Sequence, residues 1–206
     1  AYAVKGDDRA AAEVILGLGG SVKIVGGTDY IGTVDALPKK KFGLYEINLS
    51  TNGKSFLEPE NADRLAGLQE LVVFVANNSI KDDEALRFLK TCPNLVRVHV
   101  ENCGALQGTW LKYAAPLTKL ETLVALEAVK SDPSGLEAFQ SKGLTSIRLR
   151  NTAANDATLA AIGRFKKLRF LGLRDTKITD AGMAYLMGLS GLADLDVSHT
   201  PVTASG

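Results

Sequence analysis

Seven stretches of the chain share one spacing of apolar residues, Leu-x-x-apolar-x-apolar. Apolar side chains at the fourth and sixth positions predict a short strand, and the amphipathic stretch that follows, for example Asp180 to Gly188, predicts a helix. One such unit cannot bury its apolar face alone, so the repetition predicts a solenoid of stacked units. The units open at intervals of 24, 27, 25, 24, 24 and 24 residues, at Leu44, Leu68, Leu95, Leu120, Leu144, Leu168 and Leu192.

The predicted fold class is α/β, with the strands in a parallel concave sheet and the short helices on the convex side. Connections between parallel strands of one sheet are right-handed, so the solenoid is expected to be a right-handed β-α superhelix. We expect the fourth positions to form a continuous buried column, and the uninterrupted period predicts one domain. The column is filled by Ile47, Leu71, Val98, Leu123, Ile147, Leu171 and Leu195.

The first 43 residues lack this pattern. Asp7 to Leu16 is rich in Ala and predicts a helix, while Ser21 to Val25 and Tyr30 to Asp35 predict two strands that pair as a hairpin. A solenoid needs a cover over its first unit. We therefore predict an N-terminal cap over 1–43 and seven repeats, the last incomplete, over 44–206.

The other end of the sequence stops at Gly206, before the helix that each earlier unit contains. An uncovered strand presents unpaired backbone groups, which is a route to edge-to-edge association. We therefore expect a shortened chain, further repeats in the natural protein, or a partner chain that covers this end.

The ninth position of each unit is expected to hold a short side chain that can bond to the backbone where the strand ends. Cys103 occupies this position, and Cys92 occupies a second inward position three residues before Leu95. Both thiols are therefore expected to be buried packing groups, too far apart for a disulfide. The ninth positions are Asn52, Ala76, Cys103, Ala128, Thr152, Thr176 and Thr200.

The run from Cys92 to Cys103 resembles the cysteine-containing class of leucine-rich repeats known from eukaryotic F-box proteins. The segment Thr176 to Gly182, Thr-x-Ile-Thr-Asp-Ala-Gly, is similar to the bacterial class that uses Thr. The resemblance covers the chain from Leu44 onward and implies the leucine-rich-repeat fold. No F-box pattern occurs in the first 43 residues, so a ubiquitin-adaptor role is not implied.

Charge and hydropathy narrow the classes of partner. The chain has 24 Lys and Arg against 23 Asp and Glu. A nucleic-acid partner is disfavoured because no basic field would drive counterion release. No apolar run approaches the roughly 20 residues of a membrane helix. Ala1, Tyr2 and Ala3 have the small-x-small pattern of a signal-peptidase junction, which favours export to the periplasm or the cell exterior, although a trimmed chain gives the same pattern.

Function is expected on the concave face, to which the third, fifth and seventh positions of each unit point. Several of these positions are apolar where polar residues are expected, and arginines cluster on neighbouring strands. Exposed aromatic and Arg side chains together are typical of protein-binding hot spots. The candidate binding residues are Val72, Phe74, Arg97, His99, Val124, Leu126, Arg148, Arg150, Phe170 and Arg174.

This pattern predicts a scaffold that recognises a protein or peptide through its concave face. A narrower version is a pocket for an anionic ligand over the Arg cluster. The alternative is a structural or spacer domain of a larger, surface-exposed protein. In that interpretation the apolar concave residues are present because Val and Leu favour strands. The arginines form ordinary cross-strand ion pairs, Arg174 with Asp196 and Arg97 with Glu70.

Catalysis finds little support in the sequence, and no enzyme activity, cofactor or metal is predicted. His99 and His199 lie four units apart, too distant to act together. His99 and Glu101 share a strand face, but two ligands do not make a metal site.

Overall fold

A computed structural model describes residues 6–51, 53–128 and 132–205. It contains one sheet of eight strands in sequence order, and every strand from the second to the eighth is parallel to its neighbours. The predicted α/β solenoid with a parallel sheet is confirmed. The strands are β1 (Ser21–Ile24), β2 (Leu44–Ser50), β3 (Val73–Asn77), β4 (Arg97–Glu101), β5 (Thr122–Leu126), β6 (Ser146–Arg148), β7 (Phe170–Gly172) and β8 (Asp194–Asp196).

The connections between strands contain short helices. The predicted helix from Asp180 to Gly188 is shorter than expected, since an α-helix is followed at once by the 3-10 turn Ala184–Leu186. The other 3-10 segments are Val34–Ala36, Asp63–Leu65, Asp83–Thr91 and Pro133–Ala138. The α-helices of the described residues are α1 (Asp8–Gly17), α2 (Pro59–Ala62), α3 (Leu111–Ala114), α4 (Asp156–Ile162) and α5 (Asp180–Met183).

The second repeat opens at Leu71, three residues later than predicted. The sequence fits the pattern in both frames. A unit that opens at Leu68 has Leu71 and Val73 at its fourth and sixth positions, and a unit that opens at Leu71 has Phe74 and Ala76 there. Strand pairing selects the later frame, which places Phe74 between Ile47 on β2 and Val98 on β4. Phe74, and not Leu71, therefore fills the fourth position of this repeat.

This shift moves two predicted binding residues away from the concave surface. Phe74 is completely buried, and its ring packs edge-on against Phe88 with the ring centres 5.1 Å apart. Val72 precedes β3, where its N–H donates to Tyr45 O. A Phe fits the core here because the side chain two residues later, at Ala76, is small.

The ninth positions behave as predicted where they carry Thr. The hydroxyls of Thr152, Thr176 and Thr200 each donate to the backbone carbonyl three residues earlier, at 2.6–2.7 Å. In the second repeat the ninth position is Ser79 instead of Ala76, and its hydroxyl donates to Leu49 O. Asn52 lies outside the described residues.

The eighth positions of the second to seventh repeats adopt a left-handed backbone conformation, with φ between 52° and 58°. Among residues with a side chain, Asn and Asp adopt this conformation most readily. This turn reverses the chain directly after each strand. The residues concerned are Asn78, Asn102, Glu127, Asn151, Asp175 and His199.

The N-terminal segment, which contains α1 and β1, packs against the first repeat. Asp7 caps α1 by accepting from Ala10 N, and Asp8 accepts from Leu44 N at 2.6 Å. The predicted hairpin is wrong: β1 pairs antiparallel with β2, and only the single bridge Val22 to Ile31 joins it to the next segment. β2 has seven residues, so it offers β1 more backbone hydrogen-bond partners than the segment around Ile31 does. Ala1, Tyr2 and Ala3 lie outside the described residues.

Both cysteines are buried free thiols. Burial raises the pKa of Cys92 to about 11 and also raises the pKa of Cys103. A thiol that stays protonated at neutral pH is a poor nucleophile. The two side chains therefore act as packing groups, as predicted.

Candidate functional site

The concave face carries three rows of side chains, set by the strand register. The third positions are Glu46, Val73, Arg97, Thr122, Ser146, Phe170 and Asp194. The fifth positions are Asn48, Val75, His99, Val124, Arg148, Gly172 and Asp196. The seventh positions are Ser50, Asn77, Glu101, Leu126, Arg150, Arg174 and Ser198.

A concavity of about 270 Å³ lies on this face over β6, β7 and β8. We call it the C-terminal concavity. The structure brings five of the ten candidate binding residues together around it: Leu126, Arg148, Arg150, Phe170 and Arg174. The remaining lining residues are Leu171, Gly172, Asp194 and Asp196.

The other candidates on the concave face lie nearer its centre. Arg97 is exposed, and His99 is half-buried. Val124 lies between His99 and Arg148 in the fifth row but is only 3% exposed. The expectation that Val124 offers apolar surface is therefore wrong, because long side chains on both neighbouring strands cover it.

The His99 ring lies 3.2 Å from a carboxylate oxygen of Glu101. Burial lowers the pKa of His99 below its ordinary value, and the charges of Arg97 and Arg148 act in the same direction, against the opposing effect of Glu101. The imidazole is therefore neutral at neutral pH. Among the described residues, no group of three or more His, Cys, Asp or Glu is arranged to hold a metal ion.

Two of the clustered arginines have carboxylate partners from the eighth positions. Arg150 Nη2 lies 2.8 Å from Glu127 Oε1, and Arg174 Nε lies 3.2 Å from Asp175 Oδ2. The eighth-position turn directs these acidic side chains toward the strand ends. No sequence pattern predicts these two ion pairs, since Glu127 and Asp175 do not follow the alternation of the strand.

The predicted cross-strand ion pairs are wrong. Arg174 pairs with Asp175 and also contacts the His199 ring at 3.2 Å, while Glu70 precedes β3 and does not stand opposite Arg97. Arg148 is exposed, and in the described part of the chain no carboxylate lies within 4.0 Å of its side-chain nitrogens. Arg148 is thus the arginine of the C-terminal concavity whose charge is available to a ligand.

The opposite wall of the C-terminal concavity is acidic. Asp194 and Asp196 are exposed on β8, and Asp196 Oδ1 accepts from Ser198 Oγ at 2.6 Å and from Ser198 N at 3.0 Å. These hydrogen bonds lower the pKa of Asp196. Asp196 therefore stays negatively charged at neutral pH.

Gly172 lies between the two walls, with Arg148 opposite it on β6 and Asp196 opposite it on β8. A Cβ at this position would meet Arg148 Cγ at 3.5 Å, an ordinary contact distance. A Cβ at Gly172 would therefore fit without a clash, in contact with the side chain of Arg148, and a larger side chain would occupy part of the C-terminal concavity. Gly172 is not among the candidate binding residues predicted above, although a glycine inside a strand often marks a close approach by a ligand or backbone.

The repeat, its register and the parallel sheet give the chain a leucine-rich-repeat fold. No family model matches the chain. None of the helices in the described residues combines the length and apolar character needed to cross a bilayer.

Two of the solved structures to which the chain is similar are an internalin and a TLR13 complex. One is an internalin (inlF) from Listeria monocytogenes, with 16% identity, a TM-score of 0.46, and coverage of 78% of this chain and 56% of that one. The other is TLR13 in complex with ssRNA13, with 18% identity, a TM-score of 0.39, and coverage of 76% of this chain and 19% of that one. The chain thus spans about half of the internalin and a fifth of TLR13. Likenesses of this size carry no argument about function.

Proposed function

We propose that the protein is a recognition scaffold that binds a protein or peptide through the concave face, centred on the C-terminal concavity. The observation that carries this proposal is Phe170. It is a large aromatic side chain, 41% exposed on an open sheet face, and it lines the concavity together with Arg148 and Arg174. Aromatic and Arg side chains that surround a depression are the usual composition of binding hot spots.

The sheet supports this interpretation because it holds the candidate residues in fixed positions. Their backbones belong to paired strands above a continuous core, in which Leu171 and Ile147 are 1% exposed or less. Binding on such a surface needs little ordering of the backbone.

The near-neutral net charge of +1 supports a protein or peptide partner more than a nucleic acid. A nucleic-acid surface gains most of its affinity from many basic contacts. In the C-terminal concavity, acidic side chains balance the arginines instead.

The test is affinity capture from the extract of the source organism with wild-type protein and a Phe170→Ser, Arg148→Glu variant. Both residues are exposed, so the variant is expected to keep the wild-type thermal midpoint. Removing one aromatic anchor and reversing one charge should cost about 2 kcal/mol or more of binding, roughly a thirtyfold loss of affinity. We expect a partner that wild type retains and the variant does not.

The matched control carries the same kinds of change away from the concave strands, Tyr185→Ser with Lys177→Glu, where both residues are exposed. It should retain the partner as well as wild type. Equal recovery by all three proteins, or no partner for any of them, would contradict concave recognition and favour the structural spacer function.

A further inference from the structure

The walls of the C-terminal concavity carry opposite charges, so the concavity differs from a pocket lined by the Arg cluster alone. Arg150 and Arg174 are paired with Glu127 and Asp175, so Arg148 provides the available positive charge. Asp194 and Asp196 provide negative charge on the other side. A simple anion would face repulsion from β8, and a simple cation would face repulsion from β6.

The distance between the two walls follows from the sheet. Arg148, Gly172 and Asp196 are register partners on three successive strands. Neighbouring strands lie about 4.8 Å apart, so the two charged positions are roughly 10 Å apart across the sheet. Gly172 between them has no side chain, which allows a backbone to pass close to the sheet.

We propose that the C-terminal concavity selects a peptide segment bearing one acidic and one basic side chain about 10 Å apart. The segment crosses the strands, with its acidic side chain on Arg148, its backbone over Gly172 and its basic side chain on Asp194 and Asp196. This inference rests on the proposed function and specifies the chemistry of the partner.

Phe170 adds an apolar contact at the centre of the segment. It stands on β7 beside Gly172, between the two charged walls. Residues three apart in a polyproline II chain lie on the same side of the chain and about 9 Å apart, which is close to the spacing of the walls. The preferred sequence therefore has two small or apolar residues between the charged ones.

The test uses an acetylated and amidated octapeptide in which Glu and Arg are separated by two Ala. Two control peptides of equal length carry Glu at both charged positions or Arg at both. Titrations are followed by amide NMR shifts of the protein, with Gly172 as the reporter. We expect the mixed-charge peptide to bind about two- to fivefold more tightly than either control, the range that exposed ion pairs provide.

Two protein variants test the assignment of the walls. Asp194→Lys with Asp196→Lys makes both walls basic, so it should reverse the preference toward the peptide with two Glu. Gly172→Leu should abolish binding, because the Leu side chain would occupy the space between Arg148 and Asp196 that the peptide backbone needs. Gly104→Leu is its matched control, because Gly104 is exposed and a Cβ there would meet only Glu127 O, at 3.8 Å.

Equal or tighter binding of the two-Glu peptide to wild type would overturn the inference, since the concavity would then be a simple anion site. Absence of shifts at Gly172 with every peptide would also overturn it. The proposed function is judged separately by capture of a whole partner, which the Phe170→Ser, Arg148→Glu variant loses. A partner captured through these residues without peptide selectivity would retain concave recognition and reject this chemistry.

Discussion

At the scale of the residue, the eighth position of the second to seventh repeats has more influence on the candidate site than its sequence suggests. It holds a left-handed backbone and directs its side chain along the strand ends. Asn102 Nδ2 donates to Asn77 Oδ1, and Asn151 Nδ2 donates to Glu127 Oε2. The same positions supply the carboxylates that neutralise Arg150 and Arg174. The net charge of the candidate site thus depends on the eighth-position turn, which the alternation of strand residues does not predict.

A pair of substitutions at Asn151 tests this turn. Both Asn151→Val and Asn151→Gly lose the bond to Glu127, but only Val strains the backbone at a φ of 52°. The Val variant should therefore be less stable than the Gly variant by about 1 kcal/mol. Urea denaturation measures the difference. Equal midpoints would show that the left-handed conformation places no constraint here.

At the scale of the element, carboxylates on several convex segments accept hydrogen bonds from the next repeat. Asp156 accepts from Thr179 N and Oγ1, and Asp180 accepts from Thr203 N and Oγ1. The bonds satisfy backbone N–H groups at the start of the following segment, which helices leave without internal partners. These contacts hold convex segments in register although they are too short to be stable alone.

Asp83 is the most buried of these carboxylates, 8% exposed, and accepts from Gln107 N, Trp110 N and Thr109 Oγ1. Replacing it with Ala leaves these donors unpaired and should cost about 2–3 kcal/mol. Its neighbour Asp82 is exposed and caps only its own segment through Glu84 N, so Asp82→Ala should cost about 1 kcal/mol.

Thermal and urea unfolding of the two Asp variants provide the comparison. A smaller loss for Asp83→Ala than for Asp82→Ala would mean that the bonds between repeats contribute little, and that the stacked apolar core alone sets the register.

At the scale of the whole molecule, the buried column is not uniform. Sequence position makes Leu171 and Leu195 equivalent, and equal losses of about 2–5 kcal/mol are expected for their replacement by Ala. In the structure Leu171 is 1% exposed, whereas Leu195 on β8 is 37% exposed. Neighbouring repeats enclose Leu171 on both sides, and among the described residues Leu195 has a neighbouring strand on one side only.

Leu171→Ala should therefore lower the free energy of unfolding by about 2–5 kcal/mol, and Leu195→Ala by about 1 kcal/mol or less. Chemical denaturation of both variants at the same protein concentration measures the two values. Similar losses would indicate that β8 is covered in solution, for example by a second copy of the chain.

The sequence by itself determined the repeat, the parallel sheet, the buried fourth positions of all repeats except the second and the last, the role of the ninth-position threonines and the inert cysteines. Each of these follows from local spacing, since a strand alternates its faces and an apolar face must be buried. It also placed Phe170 and three arginines on one face.

Only the tertiary structure decided the frame of the second repeat, because Leu68 and Leu71 both fit the pattern until strand pairing buries Phe74. It also decided the charge of the C-terminal concavity, because Glu127 and Asp175 reach Arg150 and Arg174 through turns. Burial and ion pairing depend on what lies on the neighbouring strands, and that information is absent from the spacing within a single repeat.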